Sequence, residues 1–336
     1  MKKKKWFTGL AATMTLAMVL TGCGSAGKDE GKQGGGAPKQ GDKPAQMVIA
    51  TGGTSGTYSP LGGSMAQIIS NKVGIPTNAQ TTNASVENMR LIKDGSVDFA
   101  FTQGDIADYA SKGTQMFKDK GAIKNLKVIA SLYNETVQIV VPANSPIKTV
   151  ADLKGKKVSV GSAGSGTEAN AQQILEVYGL KFDDLKVQRL SFAESTSGLK
   201  DGTLDAAFQT AGIPTSAVSE LGATKGVRVL NVDADQAKKL IEKYPYYSSV
   251  TIPAKTYTGQ NEEVKTVAVK SMLVARGELG EKVVYDVTKA IFENLDTLGN
   301  VHAKGKEIKL EKALEGVSLE LHPGAAKYFN EKGVKK

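Results

Sequence analysis

MVIATGGTSGTY, residues 47–58, returns about a hundred positions later as KVSVGSAGSGTE, residues 157–168; in each, an apolar run enters a Gly-rich turn that closes on Ser-Gly-Thr. A second echo follows each first one: DGSVDFAF at residues 94–101 and DGTLDAAF at residues 201–208, both apolar runs emerging from an Asp-Gly turn. The repeated order of strand, Gly-rich turn, helix and later strand predicts two similar lobes. The shared Ser-Gly-Thr predicts that both lobes face one ligand. A turn of this kind, opening a helix, presents free backbone N–H groups and the positive end of the helix dipole, which suits a carboxylate, phosphate or other anionic oxygen. Glycine lets the backbone come close, and Ser and Thr add hydroxyl donors. The plainer use of the same residues is a flexible βα turn with a Ser or Thr cap; two matching turns weigh against it.

Toward the N-terminus the chain changes character. Lys2 to Lys5 form a positive run, residues 10–20 are apolar but too short to span a bilayer comfortably, and small residues follow at Thr21 and Gly22. Residues 1–22 therefore read as an export signal. Cys23 is the only cysteine, which rules out an intramolecular disulfide, and LTGC at residues 20–23 resembles a bacterial lipobox, in which the thiol receives a lipid. Two or more acyl chains would anchor the protein where one would not. Residues 24–45, with GGG at 34–36 and no apolar side chain larger than Ala or Pro, cannot bury enough surface to fold and read as a flexible leash. The formal charge is +9, from 43 Lys and Arg against 34 Asp and Glu, without dense basic runs or interleaved aromatics; nucleic acid is not an expected partner.

Outward from the first turn, Leu61, Met65, Ile68 and Ile69 place one apolar stripe on a helix. Residues 78–82 read as a strand, 85–93 as a helix capped by Ser85, and 99–102 as a buried strand. Repeated βα units imply mainly parallel sheets flanked by helices, whose ligands collect at the carboxyl ends of strands. The apolar run 137–141 predicts a first crossing between lobes, and YYSSVTIP at 246–253 a return. In the second lobe, residues 158–160, 187–190 and 206–209 read as strands, 167–178 and 195–200 as helices. Residues 262–329 read mostly as amphipathic helix packing on the first lobe.

Enzyme chemistry has a thin stock here. The two histidines, His302 and His322, form no HExxH and meet no cysteine within the fold, so no metal site or cofactor is expected. GxSxG is absent, and neither turn carries the Lys of a phosphate loop. His322 before Pro323 reads as a residue that caps the last helix or packs near it. Of the four arginines, Arg90 and Arg276 are the two placed near the expected cleft, each with an ordinary surface or strand-closing role as the alternative.

TGGTSGTYSPLGG (51–63), SVENMRLI (85–92), DFAFTQGD (98–105), SVGSAGSGTE (159–168), DAAFQTAGIP (205–214) and LHPGAAKYF (321–329) resemble, in the right order and over nearly the whole folded part, the TAXI branch of solute receptors for TRAP transporters. The resemblance implies an α/β fold of periplasmic-binding-protein type: two lobes, each a mainly parallel sheet with flanking helices, joined by two hinge crossings. Its lobes are expected at 46–137 plus 251–336 and at 138–250. It implies a receptor, not an enzyme, that closes on a small solute such as a glutamate-like amino acid or a dicarboxylate and presents it to a TRAP-type membrane permease. The residues implied for ligand binding are Gly53, Thr54, Ser55, Gly56, Thr57 and Tyr58 in the first turn, and Ser162, Gly164, Ser165, Gly166 and Thr167 in the second. Ser85, Asn88, Gln103 and Gln209 match polar positions beside the turns, and Tyr247 either covers the cleft or packs at the hinge. Lipidation at Cys23 would hold the receptor on the extracytoplasmic face of the cell membrane. A sensory lipoprotein, or less readily an enzyme on the same scaffold, remains the alternative.

Overall fold

A computed structural model describes residues 43–335; the export segment, Cys23 and nearly all of the leash lie outside the described residues. The first half holds β1 (Met47–Ala50), α1 (Tyr58–Val73), β2 (Thr77–Gln80), α2 (Ser85–Lys93), β3 (Phe99–Gln103), α3 (Gly104–Lys112) and the long β4 (Leu126–Pro142). There follow β5 (Lys157–Ser159), α4 (Gly166–Val177), β6 (Lys186–Gln188), α5 (Phe192–Asp201), β7 (Ala206–Ala211), α6 (Ser216–Lys225), β8 (Val227–Leu230), α7 (Ala234–Lys243) and β9 (Ser248–Ile252). A second long strand, β10 (Val264–Arg276), leads to α8 (Glu281–Phe292), α9 (Leu295–Val301) and α10 (Pro323–Glu331).

The strands join in the order β2-β1-β3-β10-β4-β7-β5-β6, with β8 on β4 and β9 on β10. Strands β4 and β10 run the length of the molecule. The first part of β4 and the last part of β10 complete one lobe beside β3, while their other ends pair with β7, β8 and β9 in the second lobe. Helices cover both faces of each lobe. On one face of the first, the expected stripe Leu61, Met65, Ile68 and Ile69 is buried against Phe99 and Phe101, with Val284, Ile291 and Phe329 from the C-terminal helices. On the other face Val86, Met89 and Ile92 of α2 pack with Ile106, Val128 and Val274. The second lobe buries Val158, Ile174, Phe208 and Leu240 on one side and Leu199, Val218, Leu221 and Val229 on the other.

Three details depart from the sequence expectation. The sheets are mixed. β1, β2 and β3 are parallel, as are β5, β6 and β7, but β4 and β10 are antiparallel to their neighbours, because each crossing strand enters against the direction of the βα units. The return path also lies later than YYSSVTIP: β9 pairs back on β10, and Ile252, Tyr257 and Val264 are buried with Leu199 and Val218, so β10 itself is the second crossing. The segment 262–329 accordingly opens with a strand and becomes helical from α8 onward.

The second echo has a structural explanation. Asp98 and Asp205 occupy the same place in DGSVDFAF and DGTLDAAF. The carboxylate of Asp98 accepts from Val48 N–H at 2.8 Å and that of Asp205 from Lys157 N–H at 2.7 Å, each fastening its buried strand to the first strand of its lobe. The preceding glycines, Gly95 and Gly202, sit at φ of +69° and +73° and end helices α2 and α5 in the left-handed conformation.

Candidate functional site

Between the two Gly-rich turns lies a narrow cleft of about 60 Å³. Four helix starts converge on it: Thr57 and Tyr58 of α1, Ala84 and Ser85 of α2, Ser165 to Thr167 of α4, and Ser191 and Phe192 of α5 all line its walls. The starts differ in their state. Ser165 Oγ accepts from Glu168 N–H at 3.0 Å, and Ser191 forms a reciprocal box with Glu194, so α4 and α5 are capped by their own side chains. No side chain caps α1 or α2; Ser85, expected as the cap of α2, is its first residue, with Ala84 at the cap position, and its hydroxyl accepts from Gln103 N–H instead. Their dipole ends, and their first-turn N–H groups apart from Glu87 N–H, which Gly164 O accepts, are the positive features of the cleft, since among the described residues no Lys or Arg belongs to its lining.

Contacts already cross the cleft. Gly212 N–H donates to Thr57 Oγ1 at 3.0 Å, joining the first turn to the end of β7, and Glu87 N–H donates to Gly164 O at 3.1 Å, joining α2 to the second turn. The Gln103 side chain lies so close to Gly166 that a Cβ there would meet its Oε1 at 2.2 Å. The lobes are therefore in contact, with both turns at the contact.

Of the residues expected to bind, Gly53, Gly56, Thr57, Tyr58, Ser85, Gln103, Ser162, Ser165, Gly166 and Thr167 line the cleft. The others do not. Thr54 and Ser55 sit at the tip of the first turn, outside the lining. Asn88 is fully buried and committed: its Nδ2 donates to Thr51 O and Phe101 O, both at 2.7 Å, and its Oδ1 accepts from Thr82 Oγ1 at 2.6 Å. It braces the walls from behind. Gly164 takes φ of +76°, which a side chain would strain, and its N–H is spent on Glu168 Oε2 at 2.9 Å. Gln209 is buried behind Thr210, with neither atom of its amide partnered among the described residues. Tyr247 packs at the lobe contact, where its hydroxyl donates to Gln173 Oε1 and accepts from Asn170 Nδ2, both at 2.7 Å.

The lining also contains residues that the sequence reading passed over: Gly52, Thr82, Asn83, Ala84, Glu135, Ser191, Phe192, Thr210 and Ala211. Ala84 holds φ of +71°, an uncommon conformation for a residue with a Cβ, at the start of α2. The box formed by Ser191 and Glu194 was legible as Ser-x-x-Glu before a helix. Glu135 was legible too, as the one acid in the otherwise uncharged stretch VIASLYNETVQIVV of β4. It is 2 % exposed. Burial pushes its carboxyl up to about 8, against the smaller opposing influences of the Tyr133 hydroxyl and Lys304. A register shift between β4 and β10 falls just before it, between the pairs Lys270 with Asn134 and Met272 with Ser131; such bulges re-aim side chains. Tyr133 lies against the carboxyl, yet neither its hydroxyl nor Glu135 Oε1 closes a well-formed hydrogen bond among the described residues.

A second buried acid, Asp105, opens α3 beside the cleft. Burial raises it to about 7, and Asn170 Nδ2 of α4 reaches its Oδ2 at 3.3 Å across the lobe contact. Arg276 grips Asp98 Oδ1 through Nε at 3.0 Å and Nη2 at 2.7 Å, closing a strand as its alternative role required. Arg90 is exposed, near Gly164 but outside the lining. His322 Nδ1 accepts from Gly324 N–H at 3.2 Å, capping α10. Among the described residues no group of three His, Cys, Asp or Glu is placed to hold a metal ion, and no helix is long and apolar enough to cross a membrane.

The model of the NMT1-like family matches residues 49–333. Over 135 residues, 40% of this chain, the sequence is 32% identical to a protein of Escherichia coli (strain K12) provisionally named an aliphatic sulfonates-binding protein; the match spans 37% of that relative's length. Among solved structures, PhnD1 of Prochlorococcus marinus (MIT 9301) in complex with methylphosphonate superposes with a TM-score of 0.53 at 13% identity, over 87% of this chain and 97% of that one. A structure from Bordetella bronchiseptica RB50 does so with a TM-score of 0.51 at 18% identity, over 86% and 81%. At such identities the likeness is one of fold, and the fold is the two-lobed, mixed-sheet α/β architecture of periplasmic solute-binding proteins.

Proposed function

We propose that this chain, which belongs to the NMT1-like family, is an extracytoplasmic receptor that captures a small anionic or zwitterionic solute by lobe closure and hands it to a membrane permease. The observation that carries the reading is the cleft between the two Gly-rich turns, with hydrogen bonds from Gly212 N–H to Thr57 Oγ1 and from Glu87 N–H to Gly164 O running across it. A solute touching both walls adds contacts that exist only when the lobes meet, so it shifts the population toward the closed form. The hinge on this reading is the middle of β4 and β10. Lobe 1 is then the expected 46–137 with the C-terminal part, and lobe 2 runs on from 138 past residue 250 into β10.

The finer reading is a TAXI-type receptor of a TRAP permease, with a glutamate-like amino acid or a dicarboxylate as solute and a lipid on Cys23 as tether. The sequence blocks at both turns support it; the E. coli relative's name speaks for sulfonates and keeps them in the test. A thermal-shift panel on the full chain, spanning amino acids, dicarboxylates, keto acids, sulfonates and phosphonates, tests the receptor. A true ligand at about a hundred times its dissociation constant adds roughly 2.7 kcal/mol of stability. A folded sample that no member of the panel shifts would count against capture of a small anion. Uptake that collapses with the ion gradient, and survives ATP depletion, is the result expected of a TRAP-type partner; the reverse result points to an ATP-driven one.

A further inference from the structure

The cleft has an acid in its lining and, among the described residues, no Lys or Arg there. A doubly anionic solute would ordinarily be met by Arg or Lys; here the buried ionisable group is Glu135, whose ionised form a neighbouring cation favours and a neighbouring anion disfavours. Two side-chain oxygens that line the cleft, Gln103 Oε1 and Glu135 Oε1, are buried with no hydrogen-bond partner among the described residues. Both can accept, and an unpaired buried acceptor is costly. The starts of α1 and α2 in the same cleft, which no side chain caps, offer donors instead, apart from Glu87 N–H, which Gly164 O already accepts. Donors on one wall and unfilled acceptors in the lining match a ligand that carries both an anionic and a cationic end.

We propose that Glu135 is the specificity-determining residue of the cleft: its carboxylate takes the ammonium group of an amino-acid ligand whose own carboxylate lies at the starts of α1 and α2. The proposal deepens the receptor reading above and rests on it. The groups facing Glu135 leave it available. Tyr58 of α1 and Tyr133 of its own strand are held neutral by burial, Ser271 of β10 carries no charge, and Lys304, from the turn after α9, is bound to Glu307 Oε1 at 2.7 Å. Asp105 of α3, also raised by burial, adds to the rise at Tyr58.

The proton follows. With its carboxyl raised to about 8, Glu135 is mainly protonated at pH 7 in the free protein. An arriving ammonium favours the ionised form, so the carboxyl gives its proton to solvent as the ligand binds.

Isothermal titration of the full chain tests this with matched pairs, L-glutamate with glutarate and L-leucine with 4-methylpentanoate, at pH 7 in phosphate and in Tris. Wild type is expected to bind the amino acid of a pair more than tenfold tighter than its deaminated partner, and to release close to one proton, read from the difference in heat between the buffers. Glu135→Gln keeps the shape and removes the charge. It should weaken the amino acid by about 100-fold, abolish proton release, and leave the deaminated acid bound as well as before. Amino-acid affinity within twofold of wild type in Glu135→Gln, or a wild type that prefers the deaminated acid, overturns the assignment while leaving the receptor reading intact. A wild type that binds neither member of either pair, yet binds a sulfonate or phosphonate, overturns it as well; one that binds no solute at all takes the receptor reading with it. Should Glu135→Gln melt far below wild type, proton release by wild type alone decides, and its absence overturns the assignment.

Discussion

In lobe 1 the Ser-Gly-Thr of the motif lies wholly before its helix, which starts at Tyr58 with no side-chain cap; in lobe 2 the same three residues straddle the helix start, with Ser165 as cap and Gly166 already in the helix. The two threonines diverge with them. Thr57 Oγ1 accepts from Gly212 across the cleft, whereas Thr167 Oγ1 accepts from Thr210 N–H at 3.3 Å within its own lobe. One local sequence thus makes an open helix end on one wall and a self-satisfied one on the other. The difference teaches that a Gly-rich turn states where a backbone can approach closely, and that the offset between motif and helix decides whether its N–H groups remain free for a ligand. It also assigns tasks: lobe 1 offers the donors, and lobe 2 closes on them.

The sharpest way to break that division is at the glycines. Gly166→Val drives a Cβ into Gln103, which is itself buried, so the lobes should fail to close and solute binding should be lost by calorimetry while the melting temperature stays within a few degrees. Gly56→Ala in the other turn meets only Gly53 O at 3.4 Å and the Phe192 ring at 3.6 Å, ordinary contacts, and should change affinity less than tenfold. Equal losses in the two variants would erase the distinction between the walls.

Both acids raised by burial come from the lobe 1 side, Asp105 in α3 and Glu135 in β4, and they give stability a direction in pH. Each holds in the folded state a proton that the unfolded chain releases near pH 4 to 5. The folded form is therefore favoured on the acid side and loses ground as pH rises through about 7 for Asp105 and about 8 for Glu135. Each can take away as much as about 1.4 kcal/mol per pH unit in its window. Urea midpoints measured from pH 5 to 9 should fall and then level off; Glu135→Gln should flatten the fall up to pH 8, and Asp105→Asn the part below pH 7. A wild-type profile that is level from pH 5 to 8 would contradict the burial of both carboxyls.

Much of this was written locally. The turns, the stripe on α1, the helix 85–93 and the cap at His322 depend on residues within a few positions of one another, and the sequence states such relations directly; the cap expected at Ser85 failed because the helix takes Ser85 as its first residue and its hydroxyl meets Gln103 N–H instead. The direction of β4 and β10, the return through β10 and the bulge before Glu135 depend on pairing between strands more than a hundred residues apart, which one sequence does not display. Asn88 shows the limit within a single side chain: its type and place beside the turn fit a ligand, but Thr51, Phe101 and Thr82 already use its hydrogen bonds, two of them from strands or turns distant in sequence.

The aspartates of the second echo sharpen the comparison at a smaller scale. Asp98 is mostly buried and holds Val48 N–H together with two nitrogens of Arg276, whereas Asp205 is exposed and holds Lys157 N–H. Asp98→Ala strands a half-buried guanidinium and should cost about 2 kcal/mol, discounted from a fully buried pair for the exposure of Arg276. Asp205→Ala should cost about 1 kcal/mol. Chemical denaturation separates the two, and similar losses would mean that Arg276 adds nothing to the fastening.

The smallest effect expected is at the caps, and it is the one that isolates free N–H groups from hydroxyls. Ser165→Ala removes the acceptor for Glu168 N–H and should cost about 1 kcal/mol of stability, the ordinary worth of a helix cap. Ser85→Ala, at the first position of α2, removes no cap, because the Ser85 hydroxyl accepts instead from Gln103 N–H, at a long 3.3 Å. It should therefore leave the melting temperature nearly unchanged. Ligand affinity should also hold within a few-fold in Ser85→Ala, since the donors assigned to α2 are backbone groups that the substitution keeps. A large affinity loss there, with stability intact, would transfer the anion contact from the helix end to the Ser85 hydroxyl, and the contrast between an open and a capped wall would then rest on α1 alone.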